Sequence, residues 1–302
     1  MAGRKAGGGA RSTRVGIGDD CAVLGVPVGR EMLVTTDFSI EGVHFRRDWH
    51  PAESVGWRCL ARGLSDIAAM GGEPRAAFLS LALPRDVPEK WVDGFFGGLL
   101  RLAKEYGVTL AGGDTAESRA GVLADIVVVG NTPRGKAVLR SGAQPGDLVY
   151  VSGPVGESAA AIERMQAGRK LKAKDWLRHF FPQPRIELGQ ILRTKRFVTA
   201  MIDLSDGLST DLSHICEEGG VGAEIESEAI PRSQRASLEQ ALHGGEDYEL
   251  LFTAPAGKRV PGRLAGGQLI RIGRITRQRG MFLLTEGAKS RLKPQGWEHF
   301  RA

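Results

Sequence analysis

Short apolar runs and longer periodic stretches alternate along the chain. Met32-Leu33-Val34-Thr35-Thr36 is β-branched and ends in Asp37. Val108-Thr109-Leu110-Ala111 runs into Gly112-Gly113-Asp114, and Val198-Thr199-Ala200-Met201-Ile202 ends in Asp203. These read as strands delivering a carboxylate at their ends. Ala124-Asp125-Ile126-Val127-Val128-Val129 and Leu148-Val149-Tyr150-Val151 read as further strands. Between them, Val55, Cys59, Leu60, Leu64 and Ile67 recur on one helical face, as do Trp91, Phe95, Leu99 and Leu102. Pro88 and Gly107 bound the second of these helices, and another helix passes through Glu163 and closes at Gly168. Strands alternating with helices predict an α/β or α+β fold.

The pattern restarts after Ser141-Gly142-Ala143-Gln144-Pro145-Gly146, a connector by composition. This predicts a flexible tail over 1–14, an N-terminal domain over 15–142 and a C-terminal domain over 143–302. The tail is Gly-rich and basic, without hydrophobic period.

Composition narrows the classes. Glycine stands at 42 of 302 residues, so backbone must approach something closely at many places. The formal charge of +6 comes with few aromatics, which argues against a nucleic-acid stacking surface. The cysteines Cys21, Cys59 and Cys216 form no CxxC pair and fit a reduced, cytoplasmic setting. No apolar run is long enough for a membrane span, and no secretory h-region opens the chain.

The chemistry lies in carboxylates beside glycine or at strand ends: GIGDD, LVTTD, LSDIAAMGG, LAGGD and IDLSDG. They place Asp19-Asp20, Asp37, Asp66, Asp114, Asp203 and Asp206 where α/β sites form. Without His or Cys in the same motifs, such oxygen ligands suit a hard ion, Mg²⁺ first. Carboxylates that would repel a polyphosphate alone become a clamp for it when Mg²⁺ reverses the local sign. Gly130-Asn131-Thr132-Pro133-Arg134-Gly135-Lys136 has P-loop spacing, but Ala137 replaces the metal-binding hydroxyl and Gly142, Pro145 and Gly146 stop a following helix. Ser205 and Asp206 read as a strand-to-helix turn whose N–H groups can face a phosphate, take part in ordinary N-capping, or do both.

In order, GIGDDCAVL, TTDFSIEGVHF, LSDIAAMGG, LAGGDT, GKAVLRSGAQPGD, IDLSDGLSTDL and GGEDYELLF closely resemble the motifs of the thiamine-monophosphate kinases, in the superfamily typified by aminoimidazole ribonucleotide synthetase. The likeness covers residues 15–302. It implies the two-domain aminoimidazole ribonucleotide synthetase-like fold and a homodimer paired through the N-terminal sheets. It also implies transfer of the γ-phosphate of ATP to thiamine monophosphate, with several Mg²⁺ ions. Carried over motif by motif, the metal ligands are Asp20, Thr35, Thr36, Asp37, Asp66, Asp114, Asp203 and Asp206. ATP contacts are Tyr106, Gly113, Asp114, Arg140 and Ser205, and the vitamin phosphate and ring meet His44, Glu246 and Trp297. Asp66, Arg140 and Asp203 form the cage around the transferred group, with no acid or base. Two departures stand out: the Gly-rich tail replaces a short helix before GIGDD, and the stretch from Ile230 to Leu242 is short.

The competing enzymes are superfamily relatives with other acceptors. Selenophosphate synthetase normally needs a reactive residue in its N-terminal segment, and residues 1–18 hold no cysteine. His44 and GGEDYEL point to the thiamine enzyme. A non-catalytic Mg-nucleotide sensor explains the glycine and the basic charge, but not the full set of metal ligands.

Overall fold

The computed structural model describes residues 13–15, 17 and 21–298. Asp19, Asp20 and most of the 1–14 tail lie outside the described residues. The chain divides into two compact units: one takes the described residues up to Ile67 with Gly72–Lys136, the other Ala68–Gly71 with the described residues from Ala137 onward.

The first unit is built on four strands and two helices. They follow as β1 (Arg30–Ile40), α1 (Ala52–Ala69), β2 (Glu73–Leu83), α2 (Glu89–Glu105), β3 (Thr109–Glu117) and β4 (Leu123–Pro133). The sheet order is β1-β4-β2-β3, antiparallel except where β2 and β3 run parallel. The apolar stripe of α1, with Cys59, Leu60, Leu64 and Ile67, is buried with Phe95, Leu99 and Leu102 of α2 and Leu79, Leu81 and Ile126 of the sheet. Glycines let the helices touch: a Cβ on Gly56 would fall 1.8 Å from the Phe95 carbonyl, and one on Gly98 would fall 1.9 Å from that of Glu53. Part of the high glycine content is therefore close packing.

Hydrophobic alternation in β1 divides its faces. Leu33 and Ser39 are buried, whereas Met32, Val34 and Phe38 are exposed at 46%, 62% and 54%. The spacing that resembles a P-loop continues strand β4 through Pro133 and then turns at Arg134-Gly135, where Lys136 N–H bonds the Pro133 carbonyl at 3.0 Å. No strand-to-helix phosphate loop forms there.

The second unit holds β5 (Leu148–Val151), α3 (Glu157–Gln166), α4 (Ile186–Thr194), β6 (Ala200–Asp203), α5 (Leu208–Gly219) and β7 (Gly222–Glu226). After these come α6 (Leu238–His243), β8 (Leu250–Ala254), β9 (Ile270–Thr276), β10 (Gly280–Thr285) and β11 (Ala288–Leu292). Seven strands pair in the order β11-β10-β7-β9-β5-β8-β6. All neighbours are antiparallel except β7 and β10. Val149, Val151, Ile202 and Leu251 of the sheet pack with Leu208, Leu212 and Ile215 of α5 in the core. Helix α6 begins with a capping box in which Ser237 and Gln240 each satisfy the other's backbone N–H.

Candidate active site

In the first unit two elements, β1 and α1, bring acidic motifs together, while β3, which carries Asp114, lies at the opposite edge of the sheet from β1. Strand β1 carries Thr35, Thr36 and Asp37, helix α1 carries Asp66, and β3 carries Gly113 and Asp114. The Thr35 hydroxyl donates to Asp66, which ties β1 to α1 at the point where two acidic motifs meet. Asp37 faces the same side, and burial, followed by the nearby charge of Asp66, pushes its carboxyl up to about 7. Arg62 pulls the other way and Asp125 adds to the rise. A half-buried carboxylate raised in this way, despite Arg62 nearby, lacks full compensation by positive charge, and the acidic motifs around it, Thr35 and Asp66, offer oxygen atoms. That set fits a hard divalent cation.

Strand alternation separates the TTD triple. Thr36 lies on the opposite face from Thr35 and Asp37, and its hydroxyl donates at 2.6 Å to Asp125, a carboxylate of β4 that the sequence motifs do not single out. The signal was present in the sequence: an acid inside the run Ala124–Val129 breaks an otherwise apolar strand. Asp114 is exposed and takes the N–H of Thr115 at 2.8 Å. A cavity of about 560 Å³ lies along β3, lined by Gly112, Gly113, Asp114, Phe78, Phe96 and Leu110 among others. Tyr106 caps the C-terminus of α2 and is half-buried.

His44 sits in the turn after β1. Its Nδ1 accepts the backbone N–H of Ile40 at 3.0 Å, while the backbone N–H of His44 donates to the Ile40 carbonyl at 2.9 Å. With Nδ1 engaged as acceptor, the neutral ring carries its proton on Nε2 as a donor.

In the second unit, β6 ends in buried Asp203 and the chain turns through Ser205, Asp206 and Gly207 into α5. The N–H groups of Ser205, Asp206 and Gly207 all donate to Oδ2 of Asp211, at 3.1, 3.2 and 3.0 Å. The N–H groups expected to face a phosphate are thus turned inward onto a helix side chain, with no side-chain cap from the N-cap residue Gly207. The reason is a carboxylate one helical turn further on, in the same IDLSDGLSTDL run, that competes successfully for them. Burial, then the charges of Asp203 and Asp206, raise the Asp211 carboxyl well above its ordinary range, while the Gly207 and Asp206 N–H groups lower it. Asp206, Asp211 and His214 bring potential ligand atoms within 4.8 Å of one another.

Glu246 lies in the loop before β8 with φ of 65°, and Tyr248 follows with φ of 51°. The strained loop is held on both sides: Asp247 accepts the N–H of Gly156 at 2.7 Å. Glu249, nearly inaccessible, takes Ser152 Oγ at 2.6 Å, Arg178 at 2.8 Å and Arg185 Nε at 2.8 Å. Trp297 is half exposed and its N–H bonds the Asp206 carbonyl at 3.0 Å. Arg140 opens a short 3₁₀ turn and is exposed, with no ion pair among the described residues. Its guanidinium is available to an anion.

Family models for AIR synthase related proteins match the chain, the N-terminal domain over residues 18–132 and the C-terminal domain over 144–285. The thiamine-monophosphate kinase of Salmonella typhimurium is 39% identical, with 96% of this chain and 94% of that protein covered. The chain belongs to the thiamine-monophosphate kinase family. The thiamine-monophosphate kinase of Aquifex aeolicus is 36% identical over 94% of this chain and 92% of its own. Among solved structures, the thiamine-monophosphate kinase from Stenotrophomonas maltophilia superposes with a TM-score of 0.81 at 35% identity, covering 92% of this chain and 93% of that one. AaThiL complexed with AMPPCP and TMP superposes equally well, at 0.81 with 34% identity and coverage of 91% and 89%. Membership in the thiamine-monophosphate kinases accounts for the joint order of acidic motifs along both units. No helix among the described residues is long and apolar enough to cross a membrane.

Proposed function

We propose that this chain transfers the γ-phosphoryl group of ATP to thiamine monophosphate, giving thiamine diphosphate and ADP, in the cytoplasm and as a homodimer. The observation that carries this reading is the oxygen-only cluster of Thr35, Asp37 and Asp66 in a chain related along nearly its whole length to thiamine-monophosphate kinases. AaThiL was captured with AMPPCP and TMP, an ATP-like and a monophosphate ligand together.

Asp20, Thr35, Asp37, Asp66 and Asp114 of the first unit are proposed to hold Mg²⁺, as are Asp203 and Asp206 of the second; Thr36, whose hydroxyl is on Asp125 at the other face of β1, is left out of the set. When bound, Mg²⁺ supplies charge neutralisation between two phosphate groups that would otherwise repel. Tyr106, Gly113, Asp114, Arg140 and Ser205 are assigned to ATP, and His44, Glu246 and Trp297 to the phosphate and ring of the vitamin. Arg140 offers planar donors to phosphate oxygens and can follow charge as it develops. His44, with Nε2–H as donor, suits a phosphate oxygen. The Trp297 face suits an aromatic heterocycle.

A phosphate monoester has its second pKa near ~6, so the acceptor oxygen is already largely anionic at neutral pH. The protein therefore has no proton to remove, and its residues act by alignment and charge. Transfer is direct. Incubation with Mg²⁺, ATP and thiamine monophosphate, followed by oxidation to thiochromes and chromatography, should show thiamine diphosphate rising in step with ADP. Absence of product with ATP still bound would overturn the substrate assignment. A radiolabelled phosphoprotein trapped from γ-labelled ATP would overturn direct transfer.

A further inference from the structure

The turn Leu204–Gly207 has a partner for every peptide group. Its Leu204 N–H bonds the Glu249 carbonyl at 2.8 Å, and its next three N–H groups share the single Oδ2 of Asp211. Its carbonyls are taken in succession: Leu204 by Tyr248 N–H at 2.9 Å, Ser205 by Glu246 N–H at 2.8 Å, and Asp206 by Trp297 N–H at 3.0 Å. The Gly207 carbonyl accepts from Thr210 and Asp211 at 2.9 Å, closing the first turn of α5.

Two glycines allow these approaches. A Cβ on Gly245 would lie 2.4 Å from the Ser205 carbonyl oxygen, and one on Gly296 would lie 2.1 Å from that of Asp206. Further hydroxyls fasten the C-terminal segment. Gln295 N–H bonds Ser209 Oγ at 3.3 Å and Gly296 N–H bonds Thr210 Oγ1 at 3.0 Å.

We infer that Asp211 is a positioning residue: one of its oxygens sets the turn that carries Ser205 and Asp206, and from that turn the backbones of Glu246 and Trp297 hang. Residues assigned to the metal, to ATP and to the vitamin thereby share one template, although they come from distant parts of the sequence. This inference rests on the kinase reading for what the positioned residues bind. The template itself does not depend on that reading. Buried N–H groups that lose their acceptor must find another, and in a turn this tight they can do so only by rearranging it.

The test uses the full chain. In Asp211→Ala, the Michaelis constants for thiamine monophosphate and for Mg·ATP are expected to rise together by about tenfold or more, while Asp211→Asn, whose amide oxygen can accept the same bonds, recovers most of the loss. Gly296→Ala should raise the constant for thiamine monophosphate alone, and adding it to Trp297→Ala should cause no further loss, because it acts through Trp297. Asp211→Ala values within about twofold of wild type, or multiplicative effects in the Gly296 and Trp297 pair, would overturn the inference. If Asp211→Ala does not fold, Asp211→Glu, which keeps the charge on a longer arm, is expected to raise both constants, and unchanged constants overturn the idea equally. Hydrogen exchange gives a readout free of substrate. The amides of 205–207 should exchange slowly in wild type, lose protection in Asp211→Ala together with those of 246, 248 and 297, and keep most of it in Asp211→Asn, whose amide oxygen still accepts. Fast exchange in wild type, or loss confined to 205–207, rejects the template. A wild-type protein that makes no thiamine diphosphate yet shows this exchange pattern would reject the kinase reading and leave the template standing.

Discussion

Asp37 and Asp66 set the electrostatic problem at the scale of single residues. Asp37 is raised from 3.8 to about 7 by burial and by Asp66, so the folded chain keeps a proton there that the unfolded chain releases. Between those values the native state binds more protons than the unfolded state, and stability therefore falls as pH rises through that window. The full penalty, on the order of a few kcal/mol, is reached above pH of about 7. A cation on the carboxylates removes it. Thermal unfolding in the presence of Mg²⁺ minus that in its absence should give a small shift at pH about 5 and a clearly larger one at pH about 8, and Asp37→Asn should flatten this difference. Equal Mg²⁺ shifts at both pH values would show that Asp37 does not face the ion. Asp66 holds Thr35 in the same cluster, so Asp66→Ala should lower turnover by at least about a hundredfold while the protein stays folded. Activity within about a few-fold of wild type would reduce Asp66 to a hydroxyl acceptor on a helix.

At the scale of elements, Gly113 shows how strand β3 makes room beside a cavity. It has φ of 147°, and an added Cβ would lie 1.9 Å from the Leu79 carbonyl oxygen on the neighbouring strand. Gly113→Ala should therefore cost about 2–4 kcal/mol in unfolding free energy and weaken ATP binding, with thiamine monophosphate binding less affected. Denaturant unfolding with a loss below about 0.5 kcal/mol would mean that the edge strand shifts freely. The strands and helices with strong periodicity were legible in the sequence because burial on one face writes itself into residue type. The run Met32–Thr36 lies inside Arg30–Ile40, and Leu148–Val151 is a strand over the same residues. The run from Val198 was less well bounded, since pairing with β8 begins only at Ala200. Asp211 was hidden for a different reason. Its role depends on a side chain folding back on the preceding turn, and the letters of a helix interior do not reveal that direction. Glu249 was hidden likewise, because the arginines that neutralise it come from Arg178 and Arg185, far back in the chain.

At the scale of the whole molecule, the described residues of the first unit leave apolar side chains exposed on one sheet face. Met32, Val34 and Phe38 project from alternate positions of edge strand β1, all close to half exposed or more. Beside them on β4 and β2, Val127 and Phe78 are only partly buried, and register places Val127 between Thr36 and Phe78. An apolar patch of this kind suits an association surface. The face also carries polar groups, with Thr36 bonded to Asp125, so its occupant must tolerate a hydrogen-bonded acid within an apolar border. A second copy of the same face meets that requirement by symmetry, since each patch presents the same border and the same acid to its partner. Light scattering should then report a mass twice the 32.4 kDa of the chain. Phe38→Glu places a new charge beside Asp125, and like charges brought together on both copies should convert the protein to the monomer without unfolding either unit. A wild-type monomer at micromolar concentration, or a Phe38→Glu protein that remains dimeric, would place the association elsewhere. If the dimer splits, the activity of the monomer becomes informative in turn. The first-unit ligands Thr35, Asp37 and Asp66 lie on or against the strand that carries Phe38, so loss of the partner should loosen Mg²⁺ binding as well as change mass.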